Sequence, residues 1–220
     1  MKTIITTLLV IISMNFYSQK TNINPKGKWF FGAEIGSNRI ASYSSGDVKT
    51  FQGGILAEYY FARHWSFSGK IKYFDTGVSF FIPSTPGTGG YFLSFEGRPE
   101  YSGTFNGSVI AVPVAIKWEF RVCQNLGANL KLGFVYNFEA KSEYTNYSEN
   151  LKKVYPDSYE GSNAGFGFNY FVNKKMAIYI DVESFDGASK GTIGGFFGPI
   201  TFTTQNVLMS VGLKYCFKKS

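Results

Sequence analysis

Apolar and polar residues alternate along the last strand-like stretch of the chain. Every second position there is apolar: Val207, Met209, Val211, Leu213 and Tyr215. The positions between them carry Leu208, Ser210, Gly212 and Lys214. A period of two is that of a β-strand, and a tilted strand of about ten residues crosses a bilayer. The pattern predicts a membrane-crossing strand with one face toward lipid.

The same alternation predicts eight strands in all. They cover approximately residues 28–38, 50–61, 65–80, 105–121, 126–140, 162–171, 176–185 and 203–217. Residues 91–95 and 195–203 also have strand character, which leaves a ten-stranded arrangement open. The prediction is an all-β, antiparallel, up-and-down barrel, because an even strand count closes the sheet and removes its unpaired edges from lipid.

Short and long connections alternate between these strands. The short ones fall near residues 62–64, 122–125 and 172–175. The long ones run over 39–49, 81–104, 141–161 and 186–202. Since every second turn of an up-and-down barrel lies on the same side, this asymmetry predicts short periplasmic turns, long extracellular loops and two periplasmic termini.

Charged residues in the predicted strands fall on the face opposite the apolar side chains. Hydrocarbon does not solvate charge, so these residues are expected to point into the barrel. The inward set is Glu34, Glu58, Lys70, Lys72, Lys117, Glu119, Arg121, Lys131, Glu139, Asp181, Glu183 and Lys214. An eight-stranded barrel is just wide enough for side chains to fill it. The set therefore predicts a structural network of ion pairs, with a narrow gated path for ions or protons as the alternative.

The outward set is apolar and rich in aromatic residues. Trp29, Trp65 and Trp118 stand near strand ends, where aromatic side chains anchor barrels at the membrane interface. A secreted lipocalin-like barrel would have the reverse polarity, with apolar side chains inside. The pattern excludes that class.

Composition and the N-terminus agree with a membrane barrel that is exported. The 220 residues are 19% aromatic and only 17% charged. Lys2 precedes an apolar run at 4–12, too short for a membrane helix, which needs about 20 residues. We interpret residues 1–19 as a signal peptide and 20–220 as one barrel domain. We expect this domain to be a monomer in the outer membrane of the cell envelope.

Pro113 falls in the middle of the fourth predicted strand. Because proline has no N–H to donate to a neighbouring strand, we expect a bulge or a bend there.

Enzymatic and cofactor chemistry find little support in the sequence. The single histidine, His64, lies in a short turn without a serine nucleophile motif, so the chain is predicted not to be an enzyme. The glycine-rich run at 191–198 lacks the Lys-Ser/Thr ending of a phosphate loop. No cofactor and no metal are predicted.

The net positive charge and the two cysteines do not change this prediction. The isoelectric point is about 9.2, but the basic residues are scattered and form no stripe for nucleic acid. Cys123 and Cys216 fall near the same rim of the predicted barrel, so a disulfide between them is left open.

A family resemblance rests on the fourth predicted strand and on the end of the chain. The segment 110–118, Ile-Ala-Val-Pro-Val-Ala-Ile-Lys-Trp, resembles a strand of the small outer-membrane β-barrels of Bacteroidota known as PorT-like. The aromatic final strand, which ends at Phe217, is also similar to that family, although a tail follows it at 218–220. The resemblance implies the barrel fold, an outer-membrane location and insertion by the barrel-insertion machinery. It implies little about the biochemical task.

We therefore expect an integral outer-membrane barrel, surrounded by lipid, with a filled interior and no enzymatic activity. Its action is expected to come from extracellular loops or from membership of a larger envelope complex. Tyrosines at 144, 147, 155 and 159 and the loop between Phe80 and Phe105 are candidate contact surfaces. The alternative is a narrow channel for ions or small solutes.

Overall fold

The structure, a computed structural model, describes residues 24–41, 48–82, 101–145, 158–191 and 200–217. The predicted signal peptide lies outside these ranges, as do Tyr147 and Tyr155. The eight strands are β1 (Trp29–Ile40), β2 (Val48–Tyr59), β3 (Trp65–Ile82), β4 (Tyr101–Arg121), β5 (Leu126–Thr145), β6 (Ser158–Phe171), β7 (Met176–Gly191) and β8 (Ile200–Cys216). Among the described residues, no helix has the length and apolar character needed to cross a bilayer.

The sheet closes on itself. Each strand pairs antiparallel with the next, and β8 returns to pair with β1 from Phe30↔Cys216 to Ile40↔Asn206. The predicted eight-stranded, up-and-down barrel is confirmed. Residues 200–203, from one of the two additional stretches, belong to β8, whereas 91–95 lie outside the described ranges.

The outer wall is apolar and the interior is polar. On β1, Phe31 and Ile35 are exposed, whereas Glu34 and Asn38 between and beyond them are buried. The same alternation holds on β4, where Ile116 is exposed. Large apolar side chains that face outward around a closed sheet form the surface that a bilayer solvates, so the barrel spans a membrane.

All three tryptophans lie at the end of the barrel that carries the short turns, which we call the short-turn end. Trp65 pairs with Trp118 across β3 and β4, and their ring centroids are 6.4 Å apart. The Trp29 ring lies 4.9 Å from that of Tyr59. These rings form an aromatic girdle at that end, as expected for an interface with lipid headgroups.

Three neighbouring strands extend beyond the strands on either side of them at the opposite, long-loop end, where β7 and β8 also stay paired to Gly191↔Ile200. β3 and β4 stay paired to Ile82↔Tyr101, and β4 and β5 to Thr104↔Thr145. By contrast, the pairing of β3 with β2 stops at Gln52↔Phe74, and that of β5 with β6 at Phe138↔Ser158. We call this three-stranded projection the β3–β5 ridge.

Pro113 does not cause the predicted bulge. The ladder between β4 and β5 runs through Pro113↔Val135 without a shift, and its register shift lies between Ser108 and Val109. Toward β3, the ladder has pairs at Gly69↔Val114 and Lys72↔Ala111 but skips the two positions between them. The missing proline N–H therefore interrupts pairing with β3 and leaves the register unchanged.

Candidate functional site

Inward side chains of β8 show the order of levels inside the barrel. From the short-turn end they are Cys216, Lys214, Ser210, Leu208 and Asn206, all buried. Cys216 belongs to a lower apolar cluster of Phe30, Tyr60, Phe171, Ala177 and Cys216. Leu208 belongs to an upper apolar cluster of Phe74, Val109, Ala111, Val135, Phe185 and Leu208. The charged residues occupy the levels between these two clusters.

Lys70 of β3 lies at the centre of the larger group of charges. Its Nζ is 2.9 Å from carboxylate oxygens of Glu34 on β1 and of Asp181 and Glu183 on β7. The side chain crosses the barrel because β7 lies on the opposite side of the wall from β3. A cation with three carboxylate acceptors has its ammonium hydrogens fully used.

Two further lysines complete this group. Nζ of Lys72 lies 2.5 Å from both Glu34 and Glu183. Nζ of Lys131, on β5, lies 2.5 Å from Asp181 and 3.1 Å from Glu183. Together with Lys70 these residues form the upper charged cluster, in which every cation contacts at least two anions.

A second group of charges lies closer to the short turns and centres on Glu58. Its two oxygens lie 2.6 Å from Nζ of Lys117 and 2.6 Å from Nζ of Lys214. The Ser66 hydroxyl donates to the same carboxylate at 2.7 Å. Every ionised partner of Glu58 is buried, so the pairing is shielded from solvent.

Glu119 completes this lower charged cluster of Glu58, Glu119, Lys117 and Lys214. Its Oε2 accepts hydrogen bonds from the Tyr60 hydroxyl, at 2.9 Å, and from the Asn169 side-chain amide. Lys117 lies 3.9 Å from that oxygen. The carboxylate is thus held mainly by neutral donors.

The buried charges of the interior balance. Five lysines and five carboxylates are each at most 5% exposed: Lys70, Lys72, Lys117, Lys131, Lys214, Glu34, Glu58, Glu119, Asp181 and Glu183. An unpaired buried charge costs several kcal/mol, about as much as a weakly stable domain can lose. Contacts between equal numbers of opposite charges offset that cost.

Neutral side chains, which the charge pattern alone did not select, link the network. The Tyr179 hydroxyl donates to Glu34 at 2.9 Å, and the Gln52 amide donates to the Ser210 hydroxyl at 2.7 Å. Lys72 reaches the same hydroxyl at 3.2 Å. All of them occupy inward positions, so the alternation itself was the signal that could have identified them.

Two residues of the predicted set are not among the ten charges of the two clusters. Arg121, at the end of β4, donates to the carbonyl of Gln124 at 2.7 Å, and its guanidinium lies 5.1 Å from the Phe171 ring centroid. Glu139, on β5 near the register shift, is half-exposed. The structure therefore brings together ten of the twelve predicted residues.

The carboxylates of Glu34, Asp181 and Glu183 offer oxygens that lie within 4.8 Å of one another, a spacing that suits a metal ion. Lys70 donates hydrogen bonds to all three at 2.9 Å. Its ammonium occupies the position between the oxygens that a cation would take, so the chemistry of this trio is that of an ion pair.

His64 and the two cysteines have local roles. His64 Nδ1 lies 2.9 Å from the carbonyl oxygen of Glu119, and the Glu119 amide donates to the carbonyl of His64 at 2.7 Å. These contacts fix the short turn before β3 against β4. Cys123 and Cys216 are both free thiols, so the structure does not contain the disulfide that the sequence left open.

A polar cavity of about 230 Å³ lies at the long-loop end, beyond the upper apolar cluster. Its wall includes Thr50, Asp75, Thr76, Lys141 and Glu143. Asp75 accepts a hydrogen bond from the Ser108 hydroxyl at 2.7 Å. The mouth is therefore polar, in contrast to the apolar level below it.

No protein-family model matches the sequence, and no curated protein matches it either. Solved structures do resemble the fold. Outer membrane protein OprG from Pseudomonas aeruginosa superposes with a TM-score of 0.52 at 11% identity, over 90% of this chain and 100% of OprG. Ail, the attachment invasion locus protein of Yersinia pestis, gives 0.48 at 14% identity over 87% and 99% of the two chains. Outer Membrane Protein W of E. coli gives 0.46 at 14% identity over 87% and 99%.

The closed sheet, its apolar outer wall and its charged interior define a transmembrane β-barrel of the outer-membrane type. The similarity to OprG, at 11% identity, concerns the fold alone. The PorT-like resemblance stays a prediction. The task of this chain has to be inferred from its own residues.

Proposed function

We propose that the protein is an integral outer-membrane barrel whose interior is a structural plug, and that it works without enzymatic activity. The observation that carries the proposal is the balanced set of five buried lysines and five buried carboxylates between two apolar clusters. A conducting path needs sites that an ion can enter and leave. Here each lysine already contacts at least one carboxylate.

The apolar clusters support the same conclusion. At the short-turn end, Phe30 lies edge-on to Tyr60 and Phe171, with ring centroids 5.6 and 6.4 Å apart. Toward the long-loop end, the Phe74 and Phe185 rings are 5.9 Å apart. Rings packed across a narrow barrel disfavour water and ions, since they offer no polar partner.

We further propose that the protein acts through its long-loop end, as a contact surface or as a component of a larger envelope complex. The β3–β5 ridge supports this idea, because it carries paired strands beyond the wall on either side. A projection of paired strands offers a contact surface to another chain. The orientation that we propose places this end outside the cell and both termini in the periplasm, in line with the long connections at this end.

A narrow channel is the second candidate, because the same ten charges are what an ion or proton relay would contain. The two candidates differ in a measurable way. We expect the refolded, signal-free protein to show no steady conductance in a planar bilayer, while a heat-modifiable gel band confirms the closed barrel.

Ion-selective steps that disappear in Lys70→Met and persist in Arg121→Met would overturn the plug in favour of transport. Arg121 is the matched control because it is an inward-predicted cation that lies outside both charged clusters.

The contact surface has a separate test. A variant in which residues 79–104 are replaced by a two-residue Asn-Gly turn removes the distal part of the β3–β5 ridge and joins Val78 to Phe105, which are already paired. We expect the barrel band to persist and crosslinks to envelope proteins to disappear. A trim of the shorter connection at 192–199 serves as the control. Crosslinks that survive removal of the ridge would refute its role.

A further inference from the structure

The apolar belt on the outer wall does not have the same height all round the barrel. On β3, β4 and β5, the outward residues beside the upper apolar cluster include Tyr73, Ile110, Phe134 and Tyr136, all exposed and apolar or aromatic. On β3 and β4, polar outward side chains begin one position further, at the paired residues Asp75 and Ser108. On β7, the outward residues beside the Phe185 of that cluster are Ser184 and Asp186. At one level of the barrel, one wall is therefore apolar and the other is polar.

The polar positions form one continuous surface. Ser162 pairs with Asp186, and Asp186 pairs with Gln205 on the next strand. Ser37 and Arg39 continue this surface onto β1, and Glu160 continues it along β6. We call this surface the polar step: Ser37, Arg39, Glu160, Ser162, Ser184, Asp186 and Gln205. Six of these side chains are exposed and Ser184 is half-buried. Val207, which pairs with both Ser184 and Arg39, is the apolar residue that the step surrounds, and it is half-buried.

The lower edge of the belt is level. Next to the lower apolar cluster, the outward residues of the same wall are Trp29, Tyr170, Ile178 and Tyr215. These resemble Trp65 and Trp118 on the opposite wall. A barrel that were merely tilted would have a lower edge displaced in the same direction as its upper edge. The belt is instead shorter on the wall formed by β6, β7, β8 and β1.

The size of the difference follows from strand geometry. On β7, the last apolar outward residue is Val182, and Asp186 lies four residues beyond it. At about 3.3 Å per residue and a tilt of about 40°, this is roughly 10 Å along the membrane normal. A full belt is about 25 Å tall, so this wall matches roughly 15 Å of hydrocarbon.

We propose that this wall binds a locally thinned bilayer, in which lipid headgroups and water descend to the polar step. We choose lipid over a protein partner because the polar surface is continuous toward the long-loop end. On β6 the outward residues from Ser162 through Glu160 to Ser158, at the end of the strand, are all polar, as are Ser184 and Asp186 on β7. A docking site for a protein inside the hydrocarbon would be surrounded by apolar residues, whereas a lowered interface is open to the aqueous side. Bilayers accommodate a short apolar surface by thinning.

Polarity-sensitive labels test this proposal directly. Single cysteines for an NBD fluorophore are placed by Asp186→Cys, Ile110→Cys and Ile178→Cys in a background with Cys123→Ser and Cys216→Ala, refolded into phosphatidylcholine vesicles. Asp186 and Ile110 are a matched pair on opposite walls, since both are next to residues of the upper apolar cluster. Asp186 follows Phe185, and Ile110 lies between Val109 and Ala111. Ile178 reports the lower part of β7.

We expect the label at position 186 to be quenched by aqueous iodide and not by lipids brominated in their acyl chains, and the labels at 110 and 178 to show the reverse. Equal quenching of positions 186 and 110 by brominated acyl chains would overturn the proposal. Protection of position 186 from both quenchers, together with crosslinked dimers, would replace lipid with a second copy of the chain.

A second measurement needs no label. The wild-type barrel is expected to be most resistant to denaturant in lipids with short acyl chains. The triple variant Ser162→Leu, Ser184→Leu, Asp186→Leu completes the belt, so its optimum should move to longer chains. The control Ile110→Ser should leave the optimum at short chains. An optimum that is the same for the wild type and the triple variant would contradict the short belt.

Discussion

Lys70 is the side chain on which the upper charged cluster depends most, because it alone contacts three carboxylates. Without it, Glu34, Asp181 and Glu183 would share only Lys72 and Lys131, and one negative charge would stay uncompensated in a buried site. The loss of one partner from a buried ion pair is far more costly than replacement of the whole pair.

Lys70→Met is therefore expected to destabilise the folded barrel by about 3 to 5 kcal/mol. Reversible denaturant unfolding in lipid, followed by tryptophan fluorescence, measures this free energy. Arg121→Met removes a half-buried cation at the barrel end and should cost less, about 1 kcal/mol. A similar small loss for both variants would mean that the upper cluster contributes little to stability.

The alternation predicted which residues enter the interior, but not which residues meet there. Lys70 and Asp181 are inward by parity in the sequence alone, whereas their contact depends on how β3 and β7 are staggered once the sheet closes. That stagger is a property of the whole barrel. For the same reason the sequence did not show that the two clusters are formed by the other ten charges and not by Arg121 and Glu139.

At the scale of single elements, β4 shows how a strand tolerates a proline. The pairing of Pro113 with Val135 continues, and the interruption falls on the side of β3. Ala111, two residues away, has the same orientation and is paired with Lys72. The two positions therefore form a matched pair for testing the role of one N–H.

Pro113→Ala should change stability by no more than about 1 kcal/mol, with a newly protected amide at position 113 in hydrogen exchange, since one backbone hydrogen bond contributes about that amount. Ala111→Pro should cost more, about 1 to 3 kcal/mol, because it removes a ladder donor and leaves a buried acceptor without its partner. Equal effects of the two substitutions would show that β3 and β4 do not depend on this ladder.

Strand lengths were predicted well where strands cross the membrane and less well beyond it. β3, β4 and β5 reach Ile82, Tyr101 and Thr145, which are two, four and five residues further than the alternation indicated. Outside the bilayer, a strand has water on both faces, so nothing forces alternation. The β3–β5 ridge therefore became visible only through its pairing.

At the scale of the whole molecule, the net charge comes from residues outside the two charged clusters, because the ten buried charges cancel. The chain carries a formal charge of +7, and the ten buried charges contribute nothing to it. At the short-turn end, Lys26, Lys28, Arg63, Lys174 and Lys175 stand in or beside the turns. These described turns contain no carboxylate side chain, so this end is suited to anionic lipid headgroups.

The double variant Lys174→Gln, Lys175→Gln should slow the association of unfolded protein with vesicles that contain anionic lipid, and the difference should shrink at high salt because exposed charges are screened. Stopped-flow light scattering or tryptophan fluorescence measures the rate. Neutral vesicles provide the control, and an equal slowing there would rule out electrostatic attraction. Stability after folding should be unaffected.

The pairing of β1 with β8 sets this barrel's order of assembly. Every other pair joins strands that follow each other in the chain, so each can form as a hairpin, whereas this seam unites the two ends of the barrel. Closure therefore has to wait until the last strand has been synthesised. Because Phe30 and Cys216 are neighbours across the seam, a linker between the ends would permit a circular permutant that opens in any long loop and keeps all eight ladders.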